Sequence, residues 1–275
     1  MPYTLSHVAA VLPLVRRRPL VGAGLVVGSM SPDLLYFVAL EPGVDERSHT
    51  WVGLVAMDLP IALGVIGAVY WLVVPAVVAL APRWVRVRVV PVRPPELDVR
   101  GVLWLVVSVL LGGVTHLVWD SFTHHEGWVV RHYPELRLWF VEGMPRYQFL
   151  QLASSVLGIA AVLWWSWRAL KGRTPVAEVP ALYAPPRRPG LVVAGVVAAG
   201  LVLAAVRAFT VMAGVGHQSV VGFARTVAAG VAPSHEQVTA GVTRVSICVV
   251  TGVFAALLAV GLHQRARARG GRAVD

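Results

Sequence analysis

The chain has 275 residues, 57% of them hydrophobic and only 14% charged, with a mean hydropathy of +0.70. A soluble domain is about half apolar, whereas here the apolar residues form blocks of roughly 20, which is typical of membrane-spanning helices. The net charge of +10 comes from arginines clustered between these blocks, so it indicates membrane topology and argues against nucleic-acid binding. The single cysteine, Cys248, excludes an internal disulfide.

The first forty residues are predicted to form a short helical hairpin. An apolar run at 4–15 is too short to span a bilayer, three arginines at 16–18 mark the tip, and a second run returns over 20–40. With a rise of 1.5 Å per residue, His7 and Asp33 come back to about the same level. If the hairpin enters from outside, its tip arginines lie at half depth in the bilayer, so its depth and orientation stay open.

Five longer apolar segments follow and are predicted to cross the membrane. They cover 51–81, 101–122, 147–167, 191–213 and 245–262, and the first is broken in its middle by Asp58-Leu59-Pro60. The predicted fold class is therefore all-α, a polytopic membrane helix bundle with about five long spans plus a short N-terminal helical hairpin.

The distribution of arginine predicts the topology. The loops at 82–100 and 168–189 and the C-terminal tail carry most of the positive charge, which places them in the cytoplasm and the other loops outside. The chain divides into a membrane-embedded domain with the site (1–168), a basic, proline-rich cytoplasmic linker (169–189), two further transmembrane helices (190–264) and a basic tail (265–275). We expect an integral protein of a bacterial inner membrane with a cytoplasmic C-terminus.

The most informative stretch ends the second long span. His116, Asp120 and His124 are four residues apart and share one helical face. Imidazole and carboxylate groups in this pattern suit zinc or a similar divalent ion. Ionisable side chains are also costly at the edge of a bilayer and are usually functional there. The alternative is a set of polar residues that cap the helix end and snorkel to water.

Other polar residues are predicted to converge on this motif at the outer ends of the helices. His49 precedes the first long span, and the hairpin delivers His7 and Asp33 to the same level. The predicted metal ligands are therefore His7, Asp33, His49, His116, Asp120 and His124. Helix bundles build metal sites in this way, and six ligands could hold two ions, each with an open position for water. Asp33 and Asp120 are the candidates for a catalytic role, bridging ions or orienting water.

Each of these residues also has a simpler interpretation. His7 and Asp33 could cap helices, and His49 could lie in a solvated loop. Asp58 is half a turn out of phase with His49, so it is interpreted as a partner behind the ligands or as a carboxylate at a helix break. Two further carboxylates could serve as a general base, although spacing selects neither: Glu126 and Glu142. Tryptophans at the span ends, Trp119 among them, are interpreted as interfacial anchors.

Five separated motifs carry a family resemblance. They are Pro2-Tyr3-Thr4-Leu5-Ser6-His7, Gly28-Ser29-Met30-Ser31-Pro32-Asp33, Ser48-His49 with Asp58-Leu59-Pro60, Thr115 through His124, and Leu150-Gln151 with Ser154-Ser155. Together, over roughly residues 1–165, they resemble an uncharacterised bacterial integral membrane family, family 4184 among the domains of unknown function. That family is similar to predicted membrane-bound metal-dependent hydrolases and remotely to zinc-dependent phospholipase C.

The resemblance implies that the six predicted residues bind metal. The chain departs from the phospholipase pattern in two respects. It lacks a second helix with a His-x-x-x-Glu pair, and it lacks an N-terminal tryptophan amine. Both departures speak against a three-metal site.

Three functions are compatible with the sequence. The first and favoured one is a metal-dependent hydrolase, with zinc as the expected cofactor, that acts on a lipid or lipid-linked phosphoester or ester at the membrane surface. The second is a non-enzymatic membrane protein that binds or moves a metal ion or protons. The third is a structural membrane protein whose polar residues lock helices together. Membrane lipids are the expected partners, and the sequence does not determine the oligomeric state.

Overall fold

The computed structural model describes residues 4–42, 46–90 and 92–270. It confirms the all-α class, with five helices long and apolar enough to cross a membrane. The helices are α1 (Val8–Val11), α2 (Gly22–Gly28), α3 (Leu34–Ala39), α4 (Trp51–Leu80), α5 (Arg83–Val89), α6 (Val99–Thr123), α7 (Trp128–His132), α8 (Arg146–Lys171), α9 (Pro189–Val215), α10 (Val220–Ala228) and α11 (His235–Gly270). Strands β1 (Trp139–Val141) and β2 (Met144–Pro145) form an antiparallel hairpin. Pro2, Tyr3 and Asp45, together with the tail from 271, lie outside the described residues.

Helix α4 passes through the predicted break without interruption. Its Leu54–Asp58 segment is π-helical, and the Leu59 N–H bonds to the carbonyl of Leu54, five residues back. The proline that follows at position 60 has no N–H to place. The π turn shifts the hydrogen-bond pattern from four to five residues just before this proline. The chain therefore stays helical where the sequence predicted a break.

Helix α11 is longer at both ends than the predicted 245–262. At its start, Ser234 Oγ accepts from the N–H of Gln237 at 3.2 Å, and Gln237 Oε1 accepts from the N–H of Ser234 at 2.8 Å. This reciprocal capping box begins the helix at His235. At the other end the arginines continue the helix, because arginine is a good helix former.

The described residues fall into two compact units. The first comprises those of 1–34, 45–68 and 91–176, and the second those of 35–44, 69–90 and 177–275. The first unit contains the hairpin as far as residue 34, α6 and α8, and all six predicted ligands. The second contains α9 and α11, which pack along each other.

In the first unit, α2 crosses α6 at two glycines. A Cβ at Gly28 would lie 2.2 Å from the carbonyl oxygen of Val109, and one at Gly112 would lie 2.4 Å from that of Leu25. Because backbone atoms approach on both sides, only glycine permits this contact. The hairpin core of Val8, Val11 and Leu25 packs beside this crossing.

The hairpin tip reaches far along α8. The Arg16 guanidinium stacks over Trp165 at 5.1 Å, and Arg168 lies over Trp164 at 5.2 Å. The tip arginine therefore lies at the level of the basic end of α8.

In the second unit, Gly200 of α9 faces Gly252 of α11. A Cβ added at Gly252 would lie 2.7 Å from the Cα of Gly200. Glu41 joins both helices through ion pairs. It accepts from Arg207 Nη2 at 2.8 Å and from Arg244 Nε at 3.0 Å. These arginines lower the pKa of Glu41, the Arg244 hydrogen bond being the largest cause. Thr251 also donates to the Phe37 carbonyl at 2.8 Å.

Candidate metal centre

The orientation of His116 follows from the α2–α6 crossing. Gly112, one turn earlier, lets α2 approach so closely that His116 Nδ1 lies 2.8 Å from the carbonyl oxygen of Ser29. A carbonyl only accepts, so Nδ1 carries a proton, and in the neutral imidazole Nε2 is then the nitrogen with the lone pair. A hydrogen bond on the far ring nitrogen is also what orients histidine ligands in metal sites.

Asp120 lies at the centre of the cluster, with two histidines on each of its oxygens. Its Oδ1 is 3.5 Å from His7 Nε2 and 3.4 Å from His124 Nδ1. Its Oδ2 is 3.2 Å from His116 Nε2 and 3.7 Å from His49 Nε2. The carboxylate thus faces two separate pairs of imidazoles.

Asp33 completes the cluster from the turn Ser31–Asp33. Its Oδ1 lies 3.5 Å from His49 Nε2 and 3.8 Å from His116 Nε2. Its Oδ2 accepts a 2.7 Å hydrogen bond from Thr4 Oγ1, which fixes the orientation of the carboxylate. The sequence-based hairpin argument is confirmed here, because His7 and Asp33 meet the same helix face.

The spacing between these atoms fits a shared cation better than direct pairing. Charge-assisted hydrogen bonds between nitrogen and carboxylate oxygen measure about 2.7–2.9 Å. Two ligands bound tetrahedrally to zinc at about 2.0–2.2 Å lie roughly 3.4 Å apart. The six cluster distances run from 3.2 to 3.8 Å and therefore match the second spacing.

The burial of the cluster supports the same conclusion. Within the described chain, several fully buried atoms make no hydrogen bond, namely His7 Nε2, Asp33 Oδ1, His116 Nε2 and both oxygens of Asp120. Unpaired buried polar atoms are costly, and ionised ones more so. Burial also lowers the pKa of His7 to about 4, which leaves a neutral imidazole with a free lone pair at neutral pH. The donor set thus fits a divalent cation such as zinc.

Two groups of three residues have ligand atoms within 4.8 Å of one another. They are His7, His116 and Asp120, and Asp33, His49 and His116. His116 belongs to both, yet it offers only Nε2 because Nδ1 is held by Ser29. A second ion would therefore depend on the Asp120 carboxylate, which presents one oxygen to His7 and His124 and the other to His49 and His116.

Asp58 is the remaining predicted site residue. It is fully buried, and neither of its oxygens makes a hydrogen bond within the described chain. It ends the π-helical segment, which packs against the turns that carry Asp33 and His49. A π turn changes the helical phase, so residue spacing on a straight α-helix does not give the direction of the Asp58 side chain relative to His49.

The other carboxylates near the motif lie apart from the cluster. His125 and Glu126 form an exposed pair at 2.5 Å, and Glu142 is exposed in the β-hairpin. Neither carboxylate shares a described contact with the cluster histidines.

Sequence reasoning missed four supporting groups. Thr4 holds Asp33, the Ser29 carbonyl holds His116, and Ser48 Oγ lies 3.0 Å from His49 Nδ1. Trp119 is a wall of the site as well as a helix-end aromatic, since its ring meets His7 edge-on at 5.7 Å and its Nε1 donates to Ser154 at 3.2 Å. Hydroxyls next to predicted ligands were the only available signal, and a backbone carbonyl gives none.

A comparison with known families finds a match. The sequence profile described as Domain of unknown function (DUF4184) matches residues 1–262. The match extends over the last two long helices, well beyond the roughly 165 residues that carry the motifs. No curated protein and no solved structure matches the chain.

Proposed function

The chain belongs to the DUF4184 family, and we propose that it is a membrane-embedded, metal-dependent hydrolase of a lipid or lipid-linked phosphoester or ester. Zinc is the proposed cofactor. Family membership supplies no activity, so the proposal depends on the site. Its main support is the set of four imidazoles and two carboxylates, whose facing nitrogen and oxygen atoms lie 3.2–3.8 Å apart in a largely buried cluster.

The arrangement of unpaired groups favours hydrolysis over transport. In the described chain, the buried side-chain atoms without hydrogen bonds all belong to the cluster or to its neighbours Ser6 and Asp58. A transporter needs ionisable groups along both halves of its path. A cluster confined to one end of the helices is better suited to chemistry at a membrane surface.

His7, Asp33, His49, His116, Asp120 and His124 would hold the metal. When bound, zinc supplies a water of near-neutral pKa and polarises a phosphoryl or acyl oxygen. The protein's own groups keep this site in order. Thr4 and Ser29 fix Asp33 and His116, and the Trp119 ring closes the side next to His7.

The proposed location is the outer face of a bacterial inner membrane. His49 precedes α4, and His116 and Asp120 lie in the last turns of α6, so the cluster is at the helix ends opposite the arginine-rich segments. The positive-inside rule then puts the arginines in the cytoplasm and the site on the other side.

The test begins with metal analysis of protein purified in detergent without chelator. We expect about one to two zinc equivalents in the wild type and a loss of about one or more in His116→Ala and Asp120→Ala. His125→Ala is the matched control, because His125 is exposed and lies outside the cluster. It should retain the wild-type metal content.

Activity assays then use phosphodiester and carboxyl-ester lipids with the metal-loaded protein. Hydrolysis by the wild type and the His125→Ala variant, but not by Asp120→Ala, would support the proposal. A wild type without metal would reject it in favour of a structural role. Bound metal without hydrolysis of either lipid class would leave a metal-binding or metal-moving protein instead.

A further inference from the structure

The first unit contains an apolar groove of about 550 Å³ next to the metal centre. It lies between the last turns of α6 and the first turns of α8, and Ala10 of α1 also lines it. Its volume is within the range of roughly 300–1,000 Å³ that is usual for small-molecule sites. Nothing in the proposed chemistry uses this space.

The groove offers no polar group to a ligand. Thr115 Oγ1 donates to the Gly112 carbonyl at 2.7 Å, and Thr123 Oγ1 to the Trp119 carbonyl at 3.3 Å. Ser154 Oγ donates to Gln151 and accepts from Trp119. Because these hydroxyls are satisfied inside the protein, the walls present carbon, which suits a hydrocarbon.

The groove and the metal centre share a wall. On α6, Thr115, Val118, Trp119 and Phe122 follow helical spacing and line the groove, while His116 and Asp120 occupy the neighbouring face. The Trp119 ring contacts His7, and Thr123 precedes His124. The Trp119 side chain therefore separates a molecule lying in the groove from His7 of the cluster.

The side chains around the groove indicate which kind of molecule occupies it. Val118 and Phe122 are 51% and 46% exposed on α6, and Leu150 is 39% exposed on α8. Both helices are long and apolar enough to span a bilayer, so these side chains face lipid. The molecule present there at high concentration is a lipid with a hydrocarbon tail.

We propose that this groove binds one hydrocarbon chain of the lipid substrate and so places the ester or phosphoester of that lipid at the metal centre. The inference rests on the proposed function for the reaction, but chain binding itself needs neither metal nor turnover. It narrows the substrate class to lipids with at least one long alkyl or prenyl chain.

The experiment is photo-labelling of the full chain in phosphatidylcholine–phosphatidylglycerol nanodiscs. A trace of phosphatidylglycerol carries a diazirine in the middle of one acyl chain, and the labelled peptides are mapped after illumination. We expect label concentrated at 114–123 and 150–154, in zinc-loaded and in chelator-treated protein alike. Labelling that persists after metal removal would show that the groove binds a lipid chain whether or not the protein is a hydrolase.

Leu150→Trp fills the groove, and Leu157→Trp is the matched control, since Leu157 is 69% exposed further along the same helix. We expect Leu150→Trp to lower labelling of 114–123 about tenfold, because excluding two methylene groups from an apolar site is worth about that factor. Leu157→Trp should leave it unchanged. The melting temperatures of both variants in detergent show whether they are folded.

Two results would overturn the proposal. One is label spread evenly over the exposed apolar faces, with no effect of Leu150→Trp. The other is cross-linking of Val118→Cys to a second copy of the chain, which would make the groove a protein contact.

Discussion

At the residue scale, the centre depends on small groups that orient its ligands. Thr4 Oγ1 donates to Asp33 Oδ2, which leaves Oδ1 facing His49 and His116. Without this hydroxyl the carboxylate can rotate, and its oxygen then loses a fixed position between the two imidazoles. Groups that orient ligands usually change metal affinity by about 10–100-fold.

We therefore expect Thr4→Val to weaken zinc binding about tenfold, because it removes one hydrogen bond while keeping the shape of the side chain. Affinity is measured by competition with a chromogenic chelator. Thr115→Val is the control, since the Thr115 hydroxyl donates to the carbonyl of Gly112 on its own helix. Equal affinity in Thr4→Val and wild type would show that Asp33 is held by other contacts.

At the element scale, the position of His116 is decided by two crossing helices. The contact between α2 and α6 is backbone against backbone at Gly28 and Gly112. The Ser29 carbonyl that orients His116 sits at this crossing. Any increase in helix separation therefore acts on the metal centre as well as on the packing.

Gly112→Ala is expected to destabilise the fold by roughly 1–3 kcal/mol, as overpacking in tight cores does. Its Cβ would lie 2.4 Å from the Leu25 carbonyl oxygen and 2.6 Å from the Ser29 nitrogen, neither of which can turn away. The melting temperature in detergent and the zinc content should both fall.

Gly64→Ala on α4 is the control for this substitution, because nothing lies within 4 Å of its added Cβ. There alanine should be neutral or stabilising by up to about 1 kcal/mol through helix propensity. If Gly112→Ala melted like Gly64→Ala, the close crossing of α2 and α6 would be wrong.

At the scale of the whole molecule, charge is distributed for two different purposes. In the first unit, carboxylates and imidazoles are gathered with nitrogen–oxygen distances of 3.2–3.8 Å. In the second unit, Glu41 is paired with Arg207 and Arg244, which balances charge on two long apolar helices. The first arrangement could hold a cation, whereas the second is a closed structural contact.

Glu41→Gln should lower the melting temperature, because it leaves two arginines on α9 and α11 without their shared carboxylate. These side chains are partly exposed, so the loss should be modest, about 1 kcal/mol. Glu236→Gln, at the exposed start of α11, is the control.

The difference in melting temperature between the wild type and Glu41→Gln should depend on pH, because Glu41 has a lowered pKa. Folding lowers the pKa of Glu41 from its ordinary value of 4.5, so its contribution is complete at neutral pH. It is lost as the pH falls through the lowered value, and wild type and Glu41→Gln should then melt alike. A constant difference down to strongly acidic pH would contradict the ion pair as the cause.

The sequence by itself determined the class of the fold and indicated the residues of the candidate site. Apolar blocks of spanning length require helices, because a backbone in lipid must satisfy its own hydrogen bonds. The spacing of His116 and Asp120 fixed one face of α6, whereas His124 follows the end of that helix and still lies 3.4 Å from Asp120. Helical rise brought His7 level with Asp33.

Only the tertiary structure decided which atoms face one another. The two oxygens of Asp120 meet different histidines, and a backbone carbonyl at Ser29 orients His116. Such contacts depend on ångström-scale helix separation at Gly28 and Gly112 and on the π turn before Asp58. The residue pattern of a single chain carries periodicity and burial, whereas separation and phase are set by the packing of elements far apart in sequence.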